Sequence, residues 1–472
     1  ELETMTKKIT HLALALVTLL TGCSMIPTYE RPAAPVPTGF PNVTASESHA
    51  TLPSWRTYFA EPRLQQLIEL ALNNNRDLRI ASLNVEQARA QFQVRRAAQY
   101  PAVGLAANAS RAPASGTGNI TNNFSVGLAV TAWELDFFGR VASLKEQALA
   151  QYLATEEGRN AAQVSLISSV ANGWLNLLAD EELLELSRRT LATREESVRL
   201  TKLRLDSGAA SELDYRQAES LAQAARATLA QQQRQRALDE NALALLLGQP
   251  LPEDIRATLG RSDLNAAPAM QTVPAGLPSD LLVQRPDIRQ AEQQLIAANA
   301  NIGAARAAFF PRISLTAQAG TSSGELSGLF KNGSWGFTLA PSLLLPLFDA
   351  GANQANLESA QASRSVAVAQ YEKAIQTAFR EVADALASQS SLTEQLEAQR
   401  KQAEAESIRF KLADLRYQNG VASYLDLLDA QRSLFSTQQG VVQVRLSQLQ
   451  NQVSLFKALG GGWTDETSSA KP

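Results

Sequence analysis

Two carboxylates and a guanidinium follow one another at intervals of three residues, as Asp426, Asp429 and Arg432. Residues three apart are neighbours on one face of a helix, so the spacing predicts a charged cluster just after Gly420. In a symmetric assembly, a ring of such carboxylates would attract cations, and it would be costly without cations or partner groups to compensate it. The same spacing is typical of a solvated helix face in which Asp429 pairs with Arg432.

The residue types that most enzymes use are scarce in this chain. The histidines are His11, in a predicted export signal, and His49, in a stretch rich in Pro and Ser, and Cys23 is the single cysteine. This leaves no histidine for a catalytic triad, a metal cluster or a proton shuttle. The formal net charge is -3 at pH 7 and no basic cluster stands out, so nucleic-acid binding has no electrostatic basis. We therefore predict no enzyme, no metal and no cofactor other than a covalent lipid.

The N-terminal residues have the pattern of a bacterial lipoprotein signal. Two lysines precede an apolar run over residues 12–20, and small residues then lead to Cys23. The run is too short to span a bilayer as a helix. We predict that residues 1–22 are a signal peptide and that Cys23 carries the lipid; an ordinary signal with an incidental cysteine is the alternative. Ser24 stands where an inner-membrane retention signal usually has Asp, which favours the outer membrane.

The chain contains a long internal repeat. The recurring groups are Asp77-Leu78-Arg79 with Asp287-Ile288-Arg289, Ala97-Ala98-Gln99-Tyr100-Pro101 with Ala307-Ala308-Phe309-Phe310-Pro311, and Arg204-Leu205-Asp206-Ser207-Gly208 with Arg416-Tyr417-Gln418-Asn419-Gly420. The first two groups recur at an offset of 210 residues (287 − 77), and the third recurs at 212 residues (416 − 204). Such steady offsets over most of the chain indicate a tandem duplication.

Each copy of the repeat has the same predicted order of elements. A helix ends at a proline, two extended segments of alternating character follow, and a long helix, a glycine turn and a returning helix complete the copy. In the first copy these elements are a helix at 64–98, extended segments at 103–109 and 124–130, a long helix at 140–205, a turn at Gly208 and a returning helix that ends near Gly248. In the second copy they are 286–308, 313–319 and 335–339, 353–417, Gly420 and Gly460.

The extended segments, with their flanks, have the length of tilted membrane-spanning strands, roughly ten residues. Lipid offers no partner for backbone amides and carbonyls, so spanning strands must close into a barrel. Known barrels begin at about eight strands, and one chain supplies only about four. Two chains would give a barrel filled by side chains and three a water-filled lumen, so we predict a trimer. The alternative is a soluble domain with edge hairpins and an intramolecular helix bundle.

Six fragments of the sequence resemble, in order, the TolC-like outer-membrane efflux proteins. In particular they resemble the OprM-like lipoproteins that serve resistance-nodulation-division (RND) pumps, and the resemblance covers essentially the whole mature chain. The fragments are Trp133-Glu134-Leu135-Asp136-Phe137-Phe138-Gly139-Arg140, Val273-Pro274-Ala275-Gly276-Leu277-Pro278-Ser279-Asp280-Leu281-Leu282, Arg285-Pro286-Asp287-Ile288, Gly303-Ala304-Ala305-Arg306-Ala307-Ala308-Phe309-Phe310-Pro311, Leu427-Leu428-Asp429-Ala430-Gln431-Arg432 and Lys457-Ala458-Leu459-Gly460-Gly461-Gly462-Trp463.

The resemblance implies an α+β membrane protein that forms a homotrimer. Its fold would be a twelve-stranded transmembrane β-barrel, four strands per chain, continued by a long periplasmic α-helical barrel. Its function would be a passive, gated duct in the outer membrane that exports drugs and other small toxic compounds and has no enzyme activity. Its partners would be a periplasmic adaptor protein, an inner-membrane RND pump and outer-membrane lipid. A type I protein-secretion duct and a cell-envelope tether are the alternatives.

The repeat and the resemblance together predict a domain plan. The segments are the signal peptide at 1–22, an N-terminal equatorial segment at 23–63, the first repeat at 64–248, an inter-repeat linker in the equatorial belt at 249–285, the second repeat at 286–460 and a C-terminal tail at 461–472. Five prolines in the linker interrupt helical structure there.

The resemblance also implies roles for residues around the glycine turns. The expected periplasmic gate residues are Leu425, Asp426, Asp429 and Arg432. The expected lock residues, which would hold the mouth shut between inner and outer helix pairs, are Asp214, Arg416 and Tyr417. The expected adaptor-docking tips are Gly208, Ala209, Ser211, Gly420, Val421 and Ser423. Locally, each turn also ends one helix and begins the next, with Ser211 and Ser423 as N-caps. This local role is compatible with adaptor docking at the same turns.

Overall fold

The computed structural model describes residues 24–40, 53–113, 120–261, 264, 270 and 278–463. The predicted signal peptide and Cys23 therefore lie outside the described residues, as do most of residues 262–277 and all of residues 464–472. Two compact units divide the chain. Of the described residues, the first unit contains 24–33, 83–157 and 289–373, and the second contains 34–40, 53–82, 158–288 and 374–463 apart from the gaps just given.

Long helices make up most of the described chain. In chain order the helices are α1 Trp55–Tyr58, α2 Pro62–Asn74, α3 Arg76–Ala97, α4 Arg140–Asp206, α5 Glu212–Leu247, α6 Glu253–Thr258, α7 Leu281–Gln284, α8 Pro286–Ala307, α9 Ala352–Gln418 and α10 Tyr424–Ala458. Helices α4 and α9 have 67 residues each, which confirms the two predicted long helices. Within the described residues, no helix combines the length and the hydropathy that crossing a bilayer requires.

The single helix predicted at 64–98 is wrong, because the chain leaves the helical conformation at Asn75. This residue is extended, with φ −62° and ψ 131°, and it separates α2 from α3. Its side-chain Oδ1 accepts a hydrogen bond from the amide of Leu78 at 2.9 Å, and its Nδ2 donates to the carbonyl of Leu246 at 2.9 Å. Asparagine is a preferred N-cap, and here it begins a new helix while it also holds the end of α5.

The first unit contains a four-stranded antiparallel sheet. Its strands pair in the order β1 Val103–Pro113, β2 Ile120–Leu135, β3 Arg312–Ser323 and β4 Trp335–Leu344. All four are longer than the alternating segments seen in the sequence, and β2 and β3 extend into stretches rich in Ser, Asn and Thr. Asn122, for example, pairs with Arg111. The extension follows because ladder hydrogen bonds join main-chain groups and do not require an apolar side chain.

One face of this sheet is apolar across all four strands. The register aligns a row made of Leu105, Leu128, Ala319 and Phe337. A β-bulge between Val130 and Trp133 adds one residue to β2 relative to β3. Because side chains alternate with a period of two, this extra residue returns Trp133 to the apolar face, where it pairs with Leu315.

The N-terminal segment of the first unit is held along α8 by a nearly buried carboxylate. Arg31 donates two hydrogen bonds to Glu292, at 2.7 and 2.8 Å, and the hydroxyl of Tyr29 donates a third at 3.0 Å. The Glu292 side chain is only 10% exposed. Bidentate pairing with a guanidinium compensates its burial, so this contact fixes the path of the segment.

The second unit has an apolar core to which α4 and α10 contribute aromatic rings. Phe456 of α10 stacks on Tyr58 with ring centroids 4.1 Å apart and meets Phe59 edge to face at 5.6 Å. Trp174 of α4 is fully buried, and its indole nitrogen donates to Glu61 at 2.9 Å. Both helices thus pack against the segment that contains α1, and Gln450 of α10 donates directly to Asn176 of α4 at 2.7 Å, so α4 and α10 lie side by side towards the end of α10.

Candidate functional site

Two tight turns join the long helices to the returning helices, and both have the same backbone structure. We call residues 206–214, between α4 and α5, the first tip, and residues 418–426, between α9 and α10, the second tip. Gly208 has φ +74° and Gly420 has φ +71°. Glycine adopts this left-handed conformation without the steric cost that a side chain adds. Each tip therefore depends on its glycine to reverse the chain.

Each returning helix begins with a capping box, which confirms the predicted N-caps. Ser211 Oγ accepts from the amide of Asp214 at 3.1 Å, and the amide of Ser211 donates to Asp214 Oδ2 at 3.2 Å. Ser423 and Asp426 form the same two bonds, both at 3.2 Å. One predicted lock residue and one predicted gate residue are thus equivalent carboxylates, each bound to its own helix end, where negative charge is favourable.

Asp429 pairs across the second helical hairpin. Its carboxylate accepts a hydrogen bond from Arg409 of α9, whose guanidinium also lies 3.1 Å from Glu406. The alternative pairing of Asp429 with Arg432 is therefore wrong, because the facing helix brings a different guanidinium within reach. Arg432 is exposed, and its positive charge, after the larger effect of burial, lowers the pKa of Arg194 in α4.

Tyr417 lies between an arginine and a second tyrosine. The guanidinium carbon of Arg204 in α4 is 4.8 Å from its ring centroid, and the ring of Tyr424 is 5.3 Å away. Within the described residues no hydrogen bond joins Tyr417 to Asp214, whose carboxylate accepts from Ser211 at 2.8 Å. At this point the two hairpins are therefore in contact through the cation–π interaction between Arg204 and Tyr417.

Tyr424, the first residue of α10, is a candidate that the charge pattern and the resemblance do not reveal. Its side chain is 6% exposed and packs in a small cluster with Ala218 of α5 and Leu428. Its hydroxyl shares a hydrogen bond with Ser197 Oγ of α4 at 2.7 Å. The repeat does contain a signal for this position: its equivalent in the first copy is Glu212, so the second copy has an aromatic residue where the first has a charged one.

The remaining candidates are exposed at or near the tips. Arg416 and Ala209 are exposed, Leu425 is 55% exposed and Val421 is 67% exposed. The side chains of Val421 and Leu425 thus project from the second tip, and the described chain leaves both of them largely exposed to solvent. The tips hold charged, aromatic and aliphatic groups suited to making contacts, and their carboxylates are used in caps and ion pairs.

The chain matches known proteins over almost its whole length. Residues 67–249 and again residues 277–461 match the family described as "Outer membrane efflux protein". The toluene efflux pump outer membrane protein TtgC of Pseudomonas putida is 46% identical over 99% of this chain and 98% of its own length. The antibiotic efflux pump outer membrane protein ArpC of Pseudomonas putida has the same identity and coverage. The open-state MtrE outer membrane channel of Neisseria gonorrhoeae is 42% identical, covers 94% of this chain and 99% of its own, and superimposes with a TM-score of 0.85.

The chain combines a small antiparallel sheet with two very long helical hairpins, which is the architecture of the TolC-like outer-membrane channels. This confirms the predicted fold of the single chain. The chain belongs to the outer membrane efflux protein family. It is therefore an efflux channel protein of the outer membrane, and the family consists of channels and not of enzymes. The two matched stretches overlap the two predicted copies of the repeat.

Proposed function

We propose that three copies of this chain form a lipid-anchored duct of an RND-type efflux pump, with a gate at the second tip. The proposed cargo is drugs and small toxic compounds, including apolar solvents and antibiotics, since relatives are named for toluene and antibiotic efflux. The proposed partners are a periplasmic adaptor, which docks on both tips, and an inner-membrane pump, which supplies the energy.

The trimer is supported mainly by the edges of the sheet. Among the described residues, strands β1 and β4 each pair with one neighbouring strand, so each has an outer edge without a ladder partner there. An apolar face that meets lipid cannot leave such an edge open, because every unpaired amide or carbonyl in hydrocarbon costs several kcal/mol. Pairing β1 of one chain with β4 of the next satisfies both edges, and three chains of four strands give the twelve-stranded barrel with a lumen.

The anchor is supported by the path of the N-terminal segment. Arg306, in the last turn of α8, lies with its Nη1 3.5 Å from the carbonyl oxygen of Met25. Strand β3 begins at Arg312, only a few residues further along the chain. An acyl chain on Cys23 would therefore be attached close to the sheet, where lipid is available.

The gate is supported by contacts that join the second hairpin to its surroundings. We propose that Leu425, Asp426, Asp429 and Arg432 line the constriction and that Asp214, Arg416 and Tyr417 act in the lock. Opening would exchange the Arg204–Tyr417 and Ser197–Tyr424 contacts for contacts with a partner. The exposed aliphatic residues of the second tip suit docking of that partner.

Single-channel recordings in planar bilayers test the gate. The variant Arg204→Gln with Tyr424→Phe removes the cation–π contact with Tyr417 and the hydrogen bond to Ser197, and we expect it to raise the conductance several-fold over the wild type. The matched control is Arg199→Gln with Glu196→Gln, which removes an exposed pair within α4 and should leave the conductance unchanged. Equal conductance in all three proteins would contradict the gate.

Deleting the chain from its host tests the cargo. We expect greater sensitivity to toluene and to antibiotics, restored by the wild-type chain. Loss of a secreted protein with unchanged sensitivity would instead indicate a protein-secretion duct. Native mass spectrometry of the detergent-extracted particle tests the subunit count, and a monomer or dimer would exclude the proposed barrel.

A further inference from the structure

A small cavity lies in the second unit between α4, α9 and α10. Its volume is about 200 Å³, and residues of all three helices line it. Drug-sized ligand sites typically enclose about 300–1,000 Å³, so this cavity suits a smaller molecule. It belongs neither to the tips nor to the sheet.

The cavity contains a buried guanidinium without an acidic partner. Arg194 of α4 lines the cavity and is 6% exposed. Its Nη1 is buried without a hydrogen-bond partner, and no carboxylate of the described residues forms an ion pair with it. Arginine stays protonated in proteins, so the positive charge cannot be removed by deprotonation. A buried, unpaired charge is strongly unfavourable, which makes this position a strong attractor for an anion.

The surroundings of Arg194 add to the attraction. No acidic residue lines the cavity, and the positive charge of Arg432 acts on the same guanidinium. Gln431 also lines the cavity, and its Oε1 is buried without a partner. Rotating the amide by half a turn would place the Nε2 donor at that point, so Gln431 is able to donate to an anion as well.

The other residues that line the cavity indicate which group the ligand carries besides its anionic group. Phe410 of α9 and Phe435 of α10 contribute aromatic rings, and Thr190 and Thr193 of α4 contribute hydroxyl groups. Aromatic walls bind the faces or edges of a second ring, and hydroxyl groups accept or donate hydrogen bonds. A single aromatic ring that carries one carboxylate matches this combination of charge, apolar surface and size.

We propose that this cavity is a binding site for a small aromatic carboxylate, whose carboxylate group pairs with Arg194 and Gln431 and whose ring packs between Phe410 and Phe435. Such a ligand joins α4 to α9 and α10, one helical turn from Ser197, which bonds to Tyr424. Its binding therefore favours the arrangement in which the two hairpins are in contact. The proposed ligand does not depend on the proposed cargo.

Isothermal titration calorimetry of the intact, detergent-solubilised protein tests the site with benzoate as the probe. Benzamide has the same ring without the charge and serves as the matched ligand. We expect saturable binding of benzoate and at least about 10-fold weaker binding of benzamide, because a hydrogen bond to a charged group is worth more than a neutral one. Bound benzoate should also raise the melting temperature.

Two variants test whether benzoate binding requires the Arg194 guanidinium or only the overall positive charge of the protein. Arg194→Met should abolish benzoate binding while the protein melts at or above the wild-type temperature, because an apolar side chain of similar length replaces an unpaired buried charge. Arg188→Met removes an exposed arginine of the same helix that does not line the cavity, and its benzoate affinity should equal that of the wild type. Arg194→Gln replaces Arg194→Met if that variant does not assemble.

Three results would overturn the proposal. Wild-type protein that does not bind benzoate would mean that Arg194 is neutralised in the assembled protein by another group. Equal affinity for benzamide would show that the charge of the ligand is irrelevant. Unchanged benzoate affinity in the Arg194 variants would place any binding elsewhere.

Discussion

The first and second tips share a backbone and differ in what their side chains do. Both have a glycine with positive φ and a Ser-Asp capping box, at positions 212 residues apart. Just after the first tip, Arg216 of α5 is exposed and pairs with Glu212 and Glu219 on its own helix. Its equivalent just after the second tip is Leu428 of α10, which is 2% exposed. The duplicated turn was kept, while this position of the following helix changed from an exposed charged residue to a buried apolar one.

The helical hairpins differ in the same sense further from the tips, because the first again contains ionisable residues where the second does not. The first hairpin contains Asp180 of α4, which is buried near Asp239 of α5. The positions 212 residues later are Leu392 and Asn451, which do not titrate, and Asn451 donates to a backbone carbonyl at 2.9 Å. The first hairpin thus has an exposed charged residue beside its tip and a buried aspartate near a partly buried one further along. The second hairpin has a buried leucine and two neutral residues at the equivalent positions. Four experiments test this contrast.

Leu428→Ala should have the largest effect. Removing a fully buried leucine side chain leaves a cavity and costs about 2–5 kcal/mol. We expect the free energy of opening of the first turns of α10, measured by hydrogen exchange, to fall by that amount. The equivalent Arg216→Ala should leave exchange in α5 unchanged, and a similar loss at both tips would contradict the contrast between them.

Asp180→Asn should remove a pH dependence of stability. Burial, and then the nearby Asp239, raises the pKa of Asp180 from 3.8 to about 7. Folding therefore favours the protonated form, so stability is highest below about pH 4, falls as the pH rises towards 7 and is flat above it. The loss is on the order of a few kcal/mol.

The measurement for Asp180→Asn is the denaturation midpoint as a function of pH. The variant should lose most of this fall between pH 4 and 7 and be more stable than the wild type at pH 8. Asp384→Asn, at an exposed position of α9, should keep the wild-type profile. A variant that retains the full wild-type slope would show that the acid pair of the first hairpin does not cause it.

Tyr424→Phe should have a smaller effect, confined to the second tip. It removes the hydroxyl that bonds to Ser197 Oγ at 2.7 Å, which contributes about 0.5–1.5 kcal/mol. Ser197→Ala should lose a similar amount, and the double variant should lose little more than either single one in hydrogen exchange of α10. Additive losses would mean that the two hydroxyl groups act independently.

Ser211→Ala and Ser423→Ala should have nearly equal effects. Each removes an N-cap and costs about 0.5–2 kcal/mol of stability at its own tip. Local hydrogen exchange in α5 and α10 measures the two losses separately. A difference of more than about 1 kcal/mol between them would show that the shared backbone does not give the two caps equal strength.

Sequence patterns predicted most of the fold and part of the site. The long helices were predictable because neither proline nor frequent glycine interrupts them, and both turns were predictable from Gly208 and Gly420. The break at Asn75 was not, since its effect depends on a bond to Leu246, far away in the chain. The partner of Asp429 was also not predictable, because Arg409 reaches it only when α9 and α10 lie side by side.

The sequence by itself determined the order of the elements, the glycine turns and the serine N-caps, because each depends on residues within a few positions of one another. It also determined the duplication, because a repeat is recognised by comparing residue types and requires no contact between the copies. Only the tertiary structure decided which charges are paired. It also showed that Tyr424 is buried, that β2 contains a bulge and that the Arg194 guanidinium is buried without a counter-ion from the described part of the chain. These properties depend on which distant segments come into contact, and the free energy of a charge or a ring is set by those neighbours and by the water they exclude.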